Sequence, residues 1–312
     1  MASVGLSTID IEPPYDYVAA ASSIRAFLAE GNDPDSALDR IEYEVPGGHF
    51  LLMPAWGTSY GGVKILTLRA GDVPPGEERI RGSYLLYRGS DLAPVAHFDG
   101  GALTQLRTPA VTIFAVTTIA QARGRAIERA VVIGTGSQSR RHIEALKQAV
   151  PGVSIRVRGR TSSSAEAFCQ TIAGVQPATR ADLLAADTVI TTTTSVEPVI
   201  ARESLGADVV VAAMGAHGPV KREVDVDIVG GATAIVVESR RSALAESAEL
   251  WAFRPAQQWQ GRENELVTLA ELQNATVDIP AHGLVLFESV GCGWEDLAVA
   301  AGLQGRAEES ER

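Results

Sequence analysis

The sequence predicts an α/β protein in two parts, a doubly wound parallel sheet and an α+β portion. Short strand-like runs, separated by turns rich in Pro and Gly, follow one another in the first hundred residues at 41–45, 49–53, 62–68 and 83–87. From residue 130 onward, apolar strand-like runs alternate with helix-like segments. Such alternation is typical of a parallel sheet that helices cover on both faces.

Local patterns justify the individual elements. Residues 15–30 carry apolar side chains at helical intervals, and a turn at 31–34 ends that helix. Thr108 and Pro109 predict the cap and the first position of an apolar helix that extends to residue 122. The later part is predicted to hold strands at 130–133, 154–157, 188–193, 209–213 and 234–237, and helices at 141–150 and 163–173.

The change of pattern near residue 120 predicts two domains. A last helix is expected at 289–303, before a charged tail at 304–312 that we expect to fray. Because that helix can pack back on the first part, we expect one domain from residues 1–118 and 286–312. The second domain is expected to span residues 119–285.

Composition excludes several classes of protein. The net charge of −11 argues against nucleic acid as a partner, because phosphates require a basic face. Cys169 and Cys292 are too few for a disulfide framework or a zinc site of the usual spacing, so we expect buried thiols and no metal. The first residues lack a basic segment followed by an apolar one, so we expect no signal peptide. No apolar run reaches the roughly twenty residues that a membrane helix needs, and we therefore expect a cytoplasmic protein.

The most informative motif follows the apolar run at 131–133. It reads Gly134-Thr135-Gly136, and a helical pattern comes next. Gly134 would make a tight turn, Gly136 would let the backbone approach a pyrophosphate, and Ser139 would be the small third residue of the motif. The N–H groups at the start of the helix would then face the anion. This order predicts a Rossmann dinucleotide-binding domain; the alternative is a plain strand–helix turn.

The end of the second strand of that domain bears on the choice of cofactor. An NAD site usually places an acid there, but this chain continues with Arg158-Gly159-Arg160-Thr161. Guanidinium groups bind a 2′-phosphate bidentately, so this segment favours NADP(H), with NAD(H) possible. The alternative is a solvated loop.

Several separate segments together resemble one family. They are Leu52-Met53-Pro54, Gly62-Val63-Lys64-Ile65, Asp99-Gly100, Ala102-Leu103-Thr104-Gln105-Leu106-Arg107-Thr108, Gly134-Thr135-Gly136-Ser137-Gln138, Gly215-Ala216-His217-x-Pro219-x-Lys221-Arg222-Glu223 and Ser289-Val290-Gly291. In this order they resemble the ornithine cyclodeaminase/mu-crystallin family of NAD(P)-dependent enzymes over nearly the whole chain. Members of that family include cyclodeaminases, amino-acid dehydrogenases and reductases of cyclic ketimines.

The resemblance implies two sets of binding residues. A substrate carboxylate would be held by Arg40, Lys64 and Arg107, which supply opposite charge and several donors. Cofactor contacts would come from Ser137, Gln138, Thr191, Met214, Gly215, Lys221 and Ser289, besides Gly134, Gly136, Arg158, Arg160 and Thr161. Thr191 lies in a run of threonines, and the alternative to a cofactor contact is that this run is simply the end of a strand. The resemblance also implies a homodimer that forms through the first domain.

Two departures from the cyclodeaminases favour a different reaction. This chain has His217 and Leu51 where the cyclodeaminases carry an aspartate and a glutamate toward the amino groups of the diamine. A histidine can instead donate a proton to an imine nitrogen, so Lys64 and His217 are the candidate catalytic residues.

The sequence therefore predicts an NAD(P)H-dependent reductase of a small carboxylated, cyclic imine such as Δ1-pyrroline-2-carboxylate, which runs in reverse as an amino-acid dehydrogenase. Two alternatives stay open. One is an ornithine cyclodeaminase that converts ornithine to proline and ammonia with bound NAD. The other is a non-catalytic NADPH-binding protein like mu-crystallin.

Overall fold

The computed structural model describes residues 6–36, 38–71, 80–215, 218 and 220–310. They form two units, Met1–Ala110 with Cys292–Arg312, and Val111–Gly291. The predicted α/β fold class is confirmed. Of the helices in the described ranges, none combines the length and apolar character needed to cross a bilayer.

The strands are β1 Ser7–Thr8, β2 Ile41–Val45, β3 Gly48–Trp56, β4 Tyr60–Arg69, β5 Ile80–Arg88, β6 Pro94–Asp99, β7 Arg129–Ile133, β8 Ser154–Arg158, β9 Val175–Pro177, β10 Thr188–Thr191, β11 Val210–Ala213, β12 Ala232–Val237, β13 Leu266–Thr268 and β14 Leu284–Glu288. The α-helices are α1 Tyr17–Ala29, α2 Gly100–Ala122, α3 Ser137–Ala149, α4 Ser162–Cys169, α5 Arg180–Ala185, α6 Val226–Gly230, α7 Arg240–Glu246, α8 Ala248–Phe253, α9 Leu269–Gln273 and α10 Gly293–Ser310. Single 3₁₀ turns occur at Pro34–Ser36, Arg202–Ser204, Ala256–Trp259 and Glu263–Glu265.

The first unit is built on a sheet in the order β1-β6-β5-β4-β3-β2. Neighbouring strands from β2 to β6 are antiparallel, and the short β1 joins β6 in parallel. Alternate side chains of β3 and β4 face inward, where Leu51, Met53 and Leu66 form an apolar cluster. Helix α10 packs on β3 and β4 and also on α1, where Phe27 stacks on Trp294.

Helix α2 begins earlier than predicted. Thr108 and Pro109 do not start it, because Pro109 lies inside a helix that begins at Gly100. The cap is Asp99, whose Oδ1 accepts a hydrogen bond of 2.7 Å from the N–H of Ala102. Pro109 costs one backbone hydrogen bond, which burial of the surrounding apolar residues offsets, since Leu106 and Ala110 are buried.

The end of the chain was also predicted wrongly. Helix α10 starts at Gly293 and continues to Ser310, so the segment expected to fray is helical as far as that residue. Contacts within the helix sustain it: Gln304 Nε2 donates to Glu308 Oε1 at 2.8 Å, and Ser310 Oγ donates to the carbonyl of Arg306 at 2.9 Å.

The second unit is a parallel sheet in the order β13-β12-β14-β11-β10-β7-β8-β9. Its middle strands are buried and almost wholly apolar, as a sheet covered on both faces requires. From β7 the chain proceeds outward through β8 and β9, then returns to place β10 on the other side of β7. The direction of winding therefore reverses between β7 and β10, and a sheet of this kind binds its ligands outside the carboxyl ends of such strands.

Candidate functional site

The point of reversal in the second unit carries the predicted glycine turn. Gly134 has a φ of +131°, and a Cβ there would lie 2.7 Å from Ser139 Oγ and 2.8 Å from Thr192 Oγ1, so this position requires glycine. Ser139 occupies the third place of the motif. Its Oγ accepts from the N–H of Gly136 at 3.2 Å and is hydrogen-bonded to Thr192 Oγ1 at 2.8 Å. The serine therefore ties the turn to the end of β10.

The start of α3 offers backbone donors to an anion. Gly136 occupies the cap position of this 13-residue helix and has no side chain to occupy the first-turn N–H groups. A Cβ on Gly136 would meet no atom within 4 Å, and Ser137 is exposed. Next to them, the buried Oε1 of Gln138 has no hydrogen-bond partner among the described residues. Open space, free donors and the positive end of a helix fit a pyrophosphate.

The end of β8 adjoins this turn. The N–H of Gly134 donates to the carbonyl of Arg158 at 2.9 Å. Arg158, the last residue of β8, is half-buried, and Arg160, two residues further along the chain, is exposed. The hydroxyl of Thr161 instead caps α4, since it accepts from the N–H of Ser164 at 3.1 Å.

Two buried glutamates engage other predicted cofactor residues. Glu223 Oε2 accepts from Thr191 Oγ1 at 2.9 Å and from the N–H of Gly215 at 2.6 Å. Ser289 Oγ donates to Glu238. The hydroxyls of Thr191 and Ser289 therefore donate hydrogen bonds to buried glutamates near the C-terminal ends of the strands.

In the first unit, Lys64 lies on the inward face of β4. It is 1% exposed, and its Nζ lies 2.6 Å from Oδ2 of Asp296, which α10 supplies. The ammonium also donates to Thr104 Oγ1 at 3.4 Å. Burial lowers the pKa of Lys64 to about 8, although the Asp296 carboxylate acts in the opposite direction.

Arg107 belongs to the same cluster. It forms a buried ion pair with Glu295, and its Nε lies 3.4 Å from Oδ1 of Asp296. We call Lys64, Arg107, Glu295 and Asp296 the charge cluster. Its two cations balance its two carboxylates, which is how buried charges are normally accommodated.

Comparison with known proteins identifies the family. The model of the ornithine cyclodeaminase/mu-crystallin family matches residues 30–311. The chain belongs to this family. The resemblance predicted from the sequence is thus confirmed.

Individual members show what the chain is similar to. It is 32% identical over 257 residues to a Δ1-pyrroline-2-carboxylate/Δ1-piperideine-2-carboxylate reductase of Azospirillum brasilense, covering 81% of this chain and 78% of that one. The solved Δ1-pyrroline-2-carboxylate reductase of Thermococcus litoralis, in complex with NADH and L-proline, has a TM-score of 0.81 at 22% identity, over 98% of each chain. An archaeal alanine dehydrogenase, a dimer with bound NAD, also has a TM-score of 0.81 at 22% identity, over 98% of this chain and 97% of that one.

The structure places the remaining residues that the family resemblance suggested. Arg40 is half-buried just before the edge strand β2, which β3 separates from the strand of Lys64. Lys221 is half-buried, and the N–H of Met214 donates to Glu223 at 3.2 Å. His217 lies outside the described residues.

Sequence reasoning missed the acidic partners. The two acids of the charge cluster lie in the first turn of α10 and are fully buried. One signal was available, since Glu295 and Asp296 interrupt an otherwise apolar stretch between Trp294 and Leu297. A buried acid within such a stretch requires a cation or several donors.

Proposed function

We propose that this chain reduces a small cyclic imine that carries a carboxylate, of the Δ1-pyrroline-2-carboxylate type, with a nicotinamide dinucleotide. The observation that carries the proposal is the charge cluster, in which a buried lysine with a pKa of about 8 adjoins a buried arginine. The relative from Azospirillum brasilense, named as a reductase of this compound and its piperideine analogue, supports the choice of substrate.

The charge cluster suits a small carboxylate. Lys64 and Arg107 would attract the substrate carboxylate, while Glu295 and Asp296 keep the cluster itself neutral. The substrate would bind as the unprotonated imine, which carries the single negative charge of its carboxylate. Arg40 would supply the further cation that balances this charge.

Proton transfer would fall to Lys64 and His217. An ammonium with a pKa near 8 is protonated at neutral pH and gives up its proton readily. Asp296 Oδ2, at 2.6 Å, holds the ammonium in place. His217 remains the second candidate donor on the ground of its position in the sequence motif.

The dinucleotide would be held by the second unit. Gly134, Gly136, Ser137 and Gln138 fit its pyrophosphate, for the reasons given above, and when bound its nicotinamide ring supplies the hydride. We propose NADP(H) as the preferred form, with NAD(H) possible. Arg158 and exposed Arg160 support this preference, because β8 ends in guanidinium groups where an acid would favour NAD.

A substrate screen tests the function. The chain is expected to oxidise NADPH with Δ1-pyrroline- or Δ1-piperideine-2-carboxylate, measured as loss of absorbance, with a lower KM for NADPH than for NADH. A lower KM for NADH would contradict the coenzyme preference alone. Proline and ammonia formed from ornithine without added cofactor would contradict the reductase and favour a cyclodeaminase. Leu51 argues against that result, since it lies in the apolar cluster of β3 and β4 and supplies no carboxylate.

We propose a homodimer through the first unit. The edge strand β2 leaves Ile41, Tyr43 and Val45 exposed, by 42%, 56% and 39%, and an exposed apolar row on an edge strand favours association. The archaeal relative is itself a dimer. Sedimentation should therefore give twice the mass of one chain, and Tyr43→Glu should shift the protein toward a single chain. A wild-type protein that sediments as one chain would contradict the dimer.

A further inference from the structure

We propose that Glu223 is a positioning residue that fixes the two strand-end loops at which the dinucleotide binds. This inference rests on the proposed function, because those loops, after β10 and β11, include residues assigned above to the cofactor. Glu223 itself is completely buried and would act only through the residues that it holds.

In each hydrogen bond described here, the carboxylate of Glu223 is the acceptor. Oε2 accepts from Thr191 Oγ1, from the N–H of Met214 and from the N–H of Gly215, at 2.9, 3.2 and 2.6 Å. Oε1 accepts from the N–H of Thr193. One side chain thus satisfies backbone donors of two loops, one after β10 and one after β11. A carboxylate can do this because both of its oxygens are acceptors.

The two loops approach each other so closely at Gly215 that no side chain would fit there. A Cβ on Gly215 would lie 2.0 Å from the carbonyl oxygen of Thr193 and 2.9 Å from Glu223 Oε1. The backbones after β10 and β11 therefore touch at this point, and the carboxylate lies where their N–H groups converge. Without this acceptor the half-buried N–H groups of Thr193 and Gly215 would be left unsatisfied, which is costly. The N–H of Met214 has a second acceptor, the carbonyl of Thr191 at 3.1 Å.

A neighbouring pair of carboxyls explains how so acidic a region stays buried. The N–H of Glu223 donates to Glu249 Oε1 at 2.8 Å, and Ser247 Oγ donates to Glu288 Oε1 at 2.8 Å. Glu249 and Glu288 lie close enough for each side chain to affect the pKa of the other. Because two buried carboxylates repel each other, a proton on one of the pair is favoured. Burial and the charge of Glu249 raise the pKa of Glu288 well above its ordinary value, which favours the protonated form of Glu288.

The two glutamates therefore make opposite predictions for the same isosteric change. In Glu223→Gln the amide NH₂ faces a backbone N–H in either orientation, since each carboxylate oxygen accepts from at least one. In Glu288→Gln the amide oxygen can accept from Ser247 and the NH₂ can donate to Glu249, which reproduces the protonated acid. The second variant is thus a matched control for the first.

The test measures NADPH affinity by fluorescence titration and amide hydrogen exchange of the protein without ligand, both well below the Tm of each variant. Glu223→Gln is expected to raise the Kd for NADPH at least about tenfold and to speed exchange at Thr193 and Gly215. Glu288→Gln is expected to stay within about twofold of wild type in both measurements.

Three results would overturn the inference: equal losses in the two variants, wild-type affinity and exchange in Glu223→Gln, or a lowered Tm of that variant with an unchanged Kd. The last would mean that Glu223 is only structural. If the wild-type protein binds neither NADPH nor NADH, the proposed function fails instead. The exchange rates of the two variants would still decide whether Glu223 holds the loops.

Discussion

Lys64→Gln should lower kcat at least about a thousandfold and leave the Kd for NADPH within about twofold. The substitution removes both a cation for the carboxylate and the proposed proton donor, and general acid–base groups typically contribute about 10²–10⁴ in rate. Steady-state assays with the pyrroline substrate, together with a fluorescence titration of NADPH, check the two halves of the prediction.

A buried acid left unpaired could unfold this variant, so a second variant is needed as a control. Lys64→Gln combined with Asp296→Asn replaces the ion pair of 2.6 Å by two neutral amides. Loss of turnover in a double variant of normal Tm would show that the effect is chemical. Turnover close to wild type in either variant would contradict the role of Lys64.

The pH profile separates the two candidate donors. Only the protonated lysine can donate, and its pKa is about 8, so kcat/KM for reduction should fall as the pH rises through about 8. The reverse oxidation needs the neutral amine as base and should rise over the same range. Asp296→Asn removes a carboxylate that raises the pKa of Lys64, so the fall should move to lower pH. A midpoint near 6.5, the ordinary histidine value, would point to His217 instead.

The fold was largely predictable because its signals are local. The glycine turn at Gly134 and the alternation of strands and helices are read from neighbouring residues, and both are present in the second unit. The start of α2 shows where prediction from neighbouring residues fails. Thr108-Pro109 has the sequence of a helix start, but both residues lie in the middle of α2, where they are buried.

Only the two cations of the charge cluster could be predicted from the sequence. Lys64 was recognisable as a charge within an apolar strand, and Arg107 as a charge within a family motif. The acids stand out within an apolar stretch, but their pairing with these two cations could not be read from the sequence. Arg107 and Glu295 are 188 positions apart, and only the packing of α10 on the sheet brings them together. The same holds for Glu223, which spacing alone cannot connect to the loops after β10 and β11.

Gly134→Ala and Gly136→Ala should both weaken dinucleotide binding, but for different reasons. At Gly134 the backbone conformation disfavours any side chain, and a Cβ would meet Ser139 Oγ at 2.7 Å and Thr192 Oγ1 at 2.8 Å. We expect this variant to lose about 2–4 kcal/mol in free energy of unfolding and to raise the Kd for NADPH about a hundredfold, as the turn shifts.

At Gly136 the protein itself has room, since no atom lies within 4 Å of the added Cβ, and its φ of −93° is open to any residue. The Tm should therefore stay at the wild-type value, while the methyl group occupies the space through which a phosphate approaches the N–H groups of α3. We expect a Kd for NADPH raised at least about tenfold, measured by fluorescence titration beside thermal unfolding. Unchanged affinity in Gly136→Ala would show that the pyrophosphate binds elsewhere. The added methyl group contacts no protein atom, so it can lower the affinity only by contact with a bound ligand.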